Sequence, residues 1–97
     1  MGTTRILIKE YCEQCAVEYT FIQLLQEEGL IQLTMIANEP YIDEAQLDDL
    51  EQFRRWHYDL HINMEGIDAL RHLVGKVHRM QQEIKWLKER LRLHEDE

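Results

Sequence analysis

From Met64 to Leu93 nothing in the sequence stops a helix: no proline intervenes, and Asn63 stands in front as an N-cap. About 30 residues at 1.5 Å each make a rod of roughly 45 Å, longer than the rest of so small a chain can cover. Ile67, Leu70, Val74 and Val77 step by 3, 4 and 3, and Met80, Ile84, Leu87 and Leu91 by 4, 3 and 4. The result is a heptad-like apolar seam with one stammer between Val77 and Met80. The seam is expected to form a homodimer through Val77, Met80, Ile84, Leu87 and Leu91; an intramolecular core stripe or a site for another protein would use the same residues. The chain then divides into a body at 1–62 and a dimerisation helix at 63–97.

The remaining composition narrows the class. One Pro and four Gly among 97 residues, with 44% hydrophobic and 31% charged residues, argue for a folded, mainly helical chain. Lys+Arg 11 against Asp+Glu 19 gives a net charge of −8, the wrong sign for affinity won by neutralising phosphates, so nucleic acid is not an expected partner. Met1–Pro40 holds two cations against six acids, Tyr41–Leu70 two against eight, and Arg71–Glu97 seven against five. An acidic body thus carries a mildly basic helix. The apolar runs are too short for a membrane span, and Met1-Gly2-Thr3-Thr4 lacks the features of a signal peptide. The expected location is cytoplasmic, where Cys12 and Cys15 stay reduced.

Arg5-Ile-Leu-Ile8 has strand composition, and Ile8, Tyr11, Cys12, Cys15 and Ala16 recur at helical spacing, predicting a helix over Lys9 to Ala16 with one buried face. After a break near Val17-Glu18, Phe21, Ile22, Leu24 and Leu25 mark a second helix that stops at Gly29, with Leu30 placed to touch Leu25 across a Schellman turn. This is a helix-turn-helix pattern. Gln32 to Ile36, a turn at Ala37-Asn38-Glu39-Pro40, and a return at Tyr41-Ile42 predict a small wing, with Pro40 on a free edge. Asp43 and Gln46 resemble a capping box, and Leu47, Leu50, Phe53, His57 and Leu60 carry a third helix from Glu44 to about His61.

No catalytic constellation is evident, and no enzyme, cofactor or metal is expected. The chain has no serine and no Gly-rich phosphate loop. Cys12-Glu-Gln-Cys15 is a lone pair on the core face, read as small hydrophobes ahead of metal or redox ligands. His57 and His61 have the i, i+4 spacing of two zinc ligands, but no nearby motif offers a third, and His72, His78 and His94 are isolated. The strongest polar feature is the acidic run Asp43, Glu44, Asp48, Asp49 and Glu51. It reads either as a solvated helix start favoured by the helix dipole or as a docking surface for a basic partner.

The order of elements carries a resemblance. Ile8-Lys-Glu-Tyr-Cys-Glu-Gln-Cys-Ala-Val17 resembles the first helix and turn of MerR-type winged helix-turn-helix domains, Glu27-Glu28-Gly29-Leu30-Ile31 the ending of their second helix, and Tyr41 to Leu47 their segment from wing to third helix. The fold implied is mainly α, with a small β-hairpin wing and a long C-terminal helix. Two departures weigh against DNA: Gln23-Leu24-Leu25 stands where those regulators carry Arg-Tyr-Tyr, and Pro40 where the wing usually holds Arg. Helix two offers Gln23, Gln26, Glu27 and Glu28, which would meet phosphates with neutral or like charge. The variant with an acidic body is the chaperone-modulator (CbpM) family, which this chain resembles at Ile8 to Cys12, Gly29 to Ile31, Gly66-Ile67 and Leu87 to Leu91. That resemblance implies a co-chaperone inhibitor that binds the J-domain of a DnaJ-like protein of the Hsp70 system; the alternative is a MerR-type transcriptional regulator. The expected partner site is Tyr41, Asp43, Glu44, Asp48, Asp49 and Glu51.

Overall fold

The apolar run after Thr4 forms the edge strand β1 (Arg5–Leu7) and passes directly into helix α1 (Ile8–Cys15) in the computed structural model, which describes residues 4–95. The terminal residues of the body and of the long-helix segment, 1–3 and 96–97, lie outside the described residues. Helix α1 buries Ile8 and Tyr11 and ends one residue earlier than its spacing predicts. Ala16 takes a left-handed backbone, φ 54°, and is exposed, so it closes the helix without extending the buried face. The Val17 N–H then donates to the Cys12 carbonyl at 3.0 Å and drops the Val17 side chain into the core.

Helix α2 (Tyr19–Glu27) buries Phe21, Ile22 and Leu25, while Leu24, one of its apolar markers, faces solvent. It ends as the glycine predicts. Gly29 sits at φ 74°, the Leu30 N–H donates to the Leu25 carbonyl at 2.9 Å, and the Gly29 N–H donates to the Gln26 carbonyl at 3.0 Å. These are the two bonds of a Schellman motif.

Strands β2 (Leu33–Ile36) and β3 (Glu39–Asp43) form the wing, joined by a two-residue turn in which Ala37 and Asn38 both have positive φ. That geometry matches the twist of a hairpin. The expectation of a four-residue turn with Pro40 on a free edge is corrected here, because the antiparallel sheet order is β1-β3-β2 and Pro40 lies in the central strand. Pro40 is nevertheless tolerated for a local reason. Its partner across β2 is Met35, a pair that exchanges no ladder bonds in a hairpin closed by Ile36 and Glu39, and β1 pairs no further along β3 than Tyr41. A missing N–H therefore costs nothing there.

The expected capping box is absent. The Asp43 carboxylate receives the Arg5 guanidinium at 3.1 Å, and Gln46 turns away to clamp the Gln32 backbone, accepting from its N–H at 2.8 Å and donating to its carbonyl at 2.9 Å. With neither side chain free to cap, the third helix begins as a 3₁₀ turn at Glu44–Gln46 and becomes α3 at Leu47–Arg54, burying Leu50 and Phe53. It then widens into a π turn at Arg55–Asp59, short of the predicted His61, and Leu60 is exposed. The wider turn lets two successive residues reach one ring: His57 stacks on Phe21 at 4.6 Å and Tyr58 meets it edge-on at 5.4 Å.

The last helix, α4 (Met64–Glu95), is capped as expected, with the Gly66 N–H donating to Asn63 Oδ1 at 2.8 Å. A Cβ on Gly66 would lie 2.6 Å from Ile62 Cγ2, so the close approach of the chain before the helix requires glycine at this position. Ile67 is the anchor of α4 in the core, which is otherwise built from α1, α2, α3, Ile42 of the sheet, and Val17, Leu30 and Ile31 of the connections around α2. No helix among the described residues is long and apolar enough to cross a membrane.

Candidate functional site

The helix-turn-helix leaves Tyr19, Thr20, Gln23, Leu24, Gln26 and Glu27 of α2 exposed, as are Met35 to Glu39 at the wing tip, and Tyr19 lies near Asn38 and Glu39. Neither element carries a cation. From Glu10 through Phe53 the chain contains no Lys, Arg or His, while Glu10, Glu13, Glu18, Glu27, Glu28 and Glu39 lie on or beside these elements. A surface of this shape reads DNA by setting cations against phosphates; here the field has the opposite sign, and the wing tip is apolar, with Met35 64% exposed.

The six residues of the expected partner site are placed close in the chain but not alike. Tyr41 is half-buried in β3 between Leu7 and Thr34, and Asp43 is engaged by Arg5. Glu51 is engaged twice, by the Tyr11 hydroxyl donating at 2.8 Å and by Arg54 at 2.6 Å. Arg54 holds the Glu51 carboxyl below the usual carboxylate range, burial opposes that, and the Tyr11 bond adds to it. The Tyr11 hydroxyl is pushed well above its usual value, first by burial and then by Glu51. That leaves Glu44, Asp48 and Asp49 exposed at the start of α3, where the helix dipole favours them. The Tyr11-Glu51-Arg54 cluster and the Gln46 clamp were not legible in the sequence; the one signal was a tyrosine on an otherwise apolar face, whose hydroxyl needs a partner when the ring is buried.

Cys12 and Cys15 are half-buried against the core, and burial, followed by Cys15 and Glu13, raises the Cys12 thiol. A raised thiol is a poor nucleophile and a poor metal ligand at neutral pH. His57 is occupied by its stack on Phe21 and by a contact of 3.0 Å from Nδ1 to the Ile62 carbonyl, whereas His61 is exposed at φ 56° in the turn before α4.

The long helix separates two stripes that the sequence alone merges. Val74 is half-buried on the side of Ile67, while Leu73 is 58% exposed. With Leu73 in place of Val74 the exposed seam becomes Leu73, Val77, Met80, Ile84, Leu87 and Leu91, stepping 4, 3, 4, 3 and 4. The stammer between Val77 and Met80 is thus corrected to an unbroken heptad over this stretch. From Val77 to Leu91 these side chains are 48% to 60% exposed. Lys76, Glu83, Lys88 and Arg90 stand at positions flanking the seam, and Arg90 lies over the Trp86 ring at 4.7 Å.

A family model described as MerR HTH family regulatory protein matches residues 6–89. No curated protein and no solved structure matches the chain.

Proposed function

The chain belongs to the MerR helix-turn-helix regulatory family, and from that premise we propose that its partner is a protein and not DNA. It is a non-enzymatic modulator that binds and inhibits the J-domain of a DnaJ-like co-chaperone. The observation that carries this reading is the absence of any Lys, Arg or His from Glu10 through Phe53, across α1, α2, the wing and most of α3. J-domains present a basic helix, and an acidic surface gains on-rate from such a partner. The resemblance to the chaperone-modulator family at Ile8 to Cys12, Gly29 to Ile31, Gly66-Ile67 and Leu87 to Leu91 supports the choice of partner.

The contact is made by Glu44, Asp48 and Asp49, with Tyr41 beside them and Asp43 and Glu51 holding the local geometry through Arg5, Tyr11 and Arg54. The working form is a homodimer through the exposed seam of α4. The second reading, a transcriptional regulator, is favoured by the family description itself. Titration of the J-domain by calorimetry, run beside a mobility-shift assay at low salt with the DNA upstream of its own gene, separates the two. Saturable J-domain binding without a specific shift is the expected result; a specific shift without J-domain binding replaces the first reading by the second.

A further inference from the structure

Between the wing and the start of the helix-turn-helix lies a groove of about 390 Å³, whose walls include Leu7, Cys12, Tyr19 and Pro40. Its walls come from four separate elements. Leu7 ends β1, Cys12 is half-buried on α1, Tyr19 opens α2 and is 44% exposed, and Pro40 is in β3 just past the end of its pairing with β1, with β2 on its other side. Pro40, whose missing N–H the sheet does not require, therefore offers its ring as part of an open apolar wall. Glu13 and Glu39 line the same groove together with Lys9, so the lining is net acidic. The next cation along the chain is Arg54.

We infer that this groove seats an apolar side chain carried by a cationic amphipathic helix of a partner protein. The inference rests on the reading of the chain as a module that binds a basic protein, and extends the contact from the start of α3 to the wing. An apolar hollow with carboxylates at its edge fits a helix whose Leu or aromatic anchor enters while flanking Lys or Arg side chains meet Glu13 and Glu39. Nucleic acid is the poorer occupant, because a phosphate backbone would meet those carboxylates without a compensating row of cations. A volume of a few hundred Å³ is at the lower end of the size of specific binding sites, enough for one or two side chains and not for a folded loop.

The test uses the full chain and two probes: the J-domain of the DnaJ-like protein from the same genome, and a fluorescent Leu- and Lys-rich synthetic amphipathic helix. The groove is altered by Tyr19→Ala with Glu39→Lys, both exposed, with thermal unfolding as the check that the fold is retained. Cys12, in a Cys15→Ser background and at a pH alkaline enough to form its thiolate, reports occupancy by its rate of alkylation. For any probe that the native chain binds, the expected result is about tenfold weaker binding by the groove variant, the factor given by 1.4 kcal/mol, and slower alkylation of Cys12 in the complex. Unchanged affinity, or Cys12 alkylated equally fast in the complex, overturns the inference. So does a native chain that binds neither probe, or duplex DNA protecting Cys12 where the two probes do not. Binding of the synthetic helix but not the J-domain removes the proposed co-chaperone partner and leaves the groove standing.

Discussion

At Ala16 the backbone turns through φ 54° without a glycine, and at Gly29 it turns through φ 74° with one. Both positions turn the chain out of a helix through the left-handed region, one with a side chain and one without, so substitutions there have opposite signs. A Cβ in the left-handed region costs roughly 1 kcal/mol. Ala16→Gly is expected to raise the midpoint of thermal unfolding by about 4–8 °C, and Gly29→Ala to lower it by a similar amount, the conversion for a chain of this size. Nothing lies within 4 Å of a Cβ built on Gly29, so the loss would come from the backbone alone. Glu51 makes a pH prediction. Its folded carboxyl titrates below the unfolded value near 4.3 because Arg54 and Tyr11 hold the charged form, so its contribution is complete above about pH 5 and is lost as pH falls through the lower folded value. Tyr11 acts at the other end, favouring folding below its ordinary value near 10 and losing that contribution as pH rises past it. Urea unfolding from pH 3 to 7 is expected to show the native chain losing its advantage over Glu51→Gln only at the acid end; a constant difference throughout would remove Glu51 from this role.

At the scale of elements, α4 divides its apolar residues between two jobs. Ile67 and Val74 face the body, and Leu73 belongs with Val77, Met80, Ile84, Leu87 and Leu91 on the other stripe. Adjacent positions are about 100° apart on a helix, so the assignment of Leu73 and Val74 to different stripes is testable. Leu73→Lys and Leu87→Lys are expected to dissociate the proposed dimer while leaving the unfolding midpoint of the separated chain intact. Val74→Lys is expected to lower the midpoint. Light scattering at micromolar concentration, followed by calorimetric scanning, checks both, and a Leu73→Lys chain that still dimerises would return the seam to its stammered form.

The whole molecule is a rod on an acidic body, 61 Å in its longest extent, with the cations gathered on α4 and the acids on the helix-turn-helix, wing and α3. Such a separation acts over a Debye length of about 8 Å at physiological salt and so governs encounter more than residence. Asp48→Lys with Asp49→Lys is expected to slow association with the J-domain and to flatten its salt dependence, with little change in the dissociation rate. Stopped-flow binding at two salt concentrations checks this. Equal association rates at both concentrations in the native chain would mean that the acidic run has no part in the encounter.

Periodicity and end signals are local, and the features that depend on them were legible from the chain: the two short helices, the Gly29 stop, the Asn63 cap and the long helix each follow from residues within a turn or two of one another. Charge is legible too, because it needs no coordinates. What required the tertiary structure were choices between partners distant in sequence. Asp43 could cap a helix or pair with Arg5, and the sheet that brings β1 beside β3 decided for Arg5. Gln46 could complete a capping box or hold Gln32, and the approach of the wing decided for Gln32. Leu73 and Val74 compete for one position in a repeat, and only the packing of the body against the first turns of α4 shows which is left outside. Each short-range signal offered a side chain two favourable contacts of similar worth, and the long-range contact was realised because burying the apolar face had already brought its partner within reach.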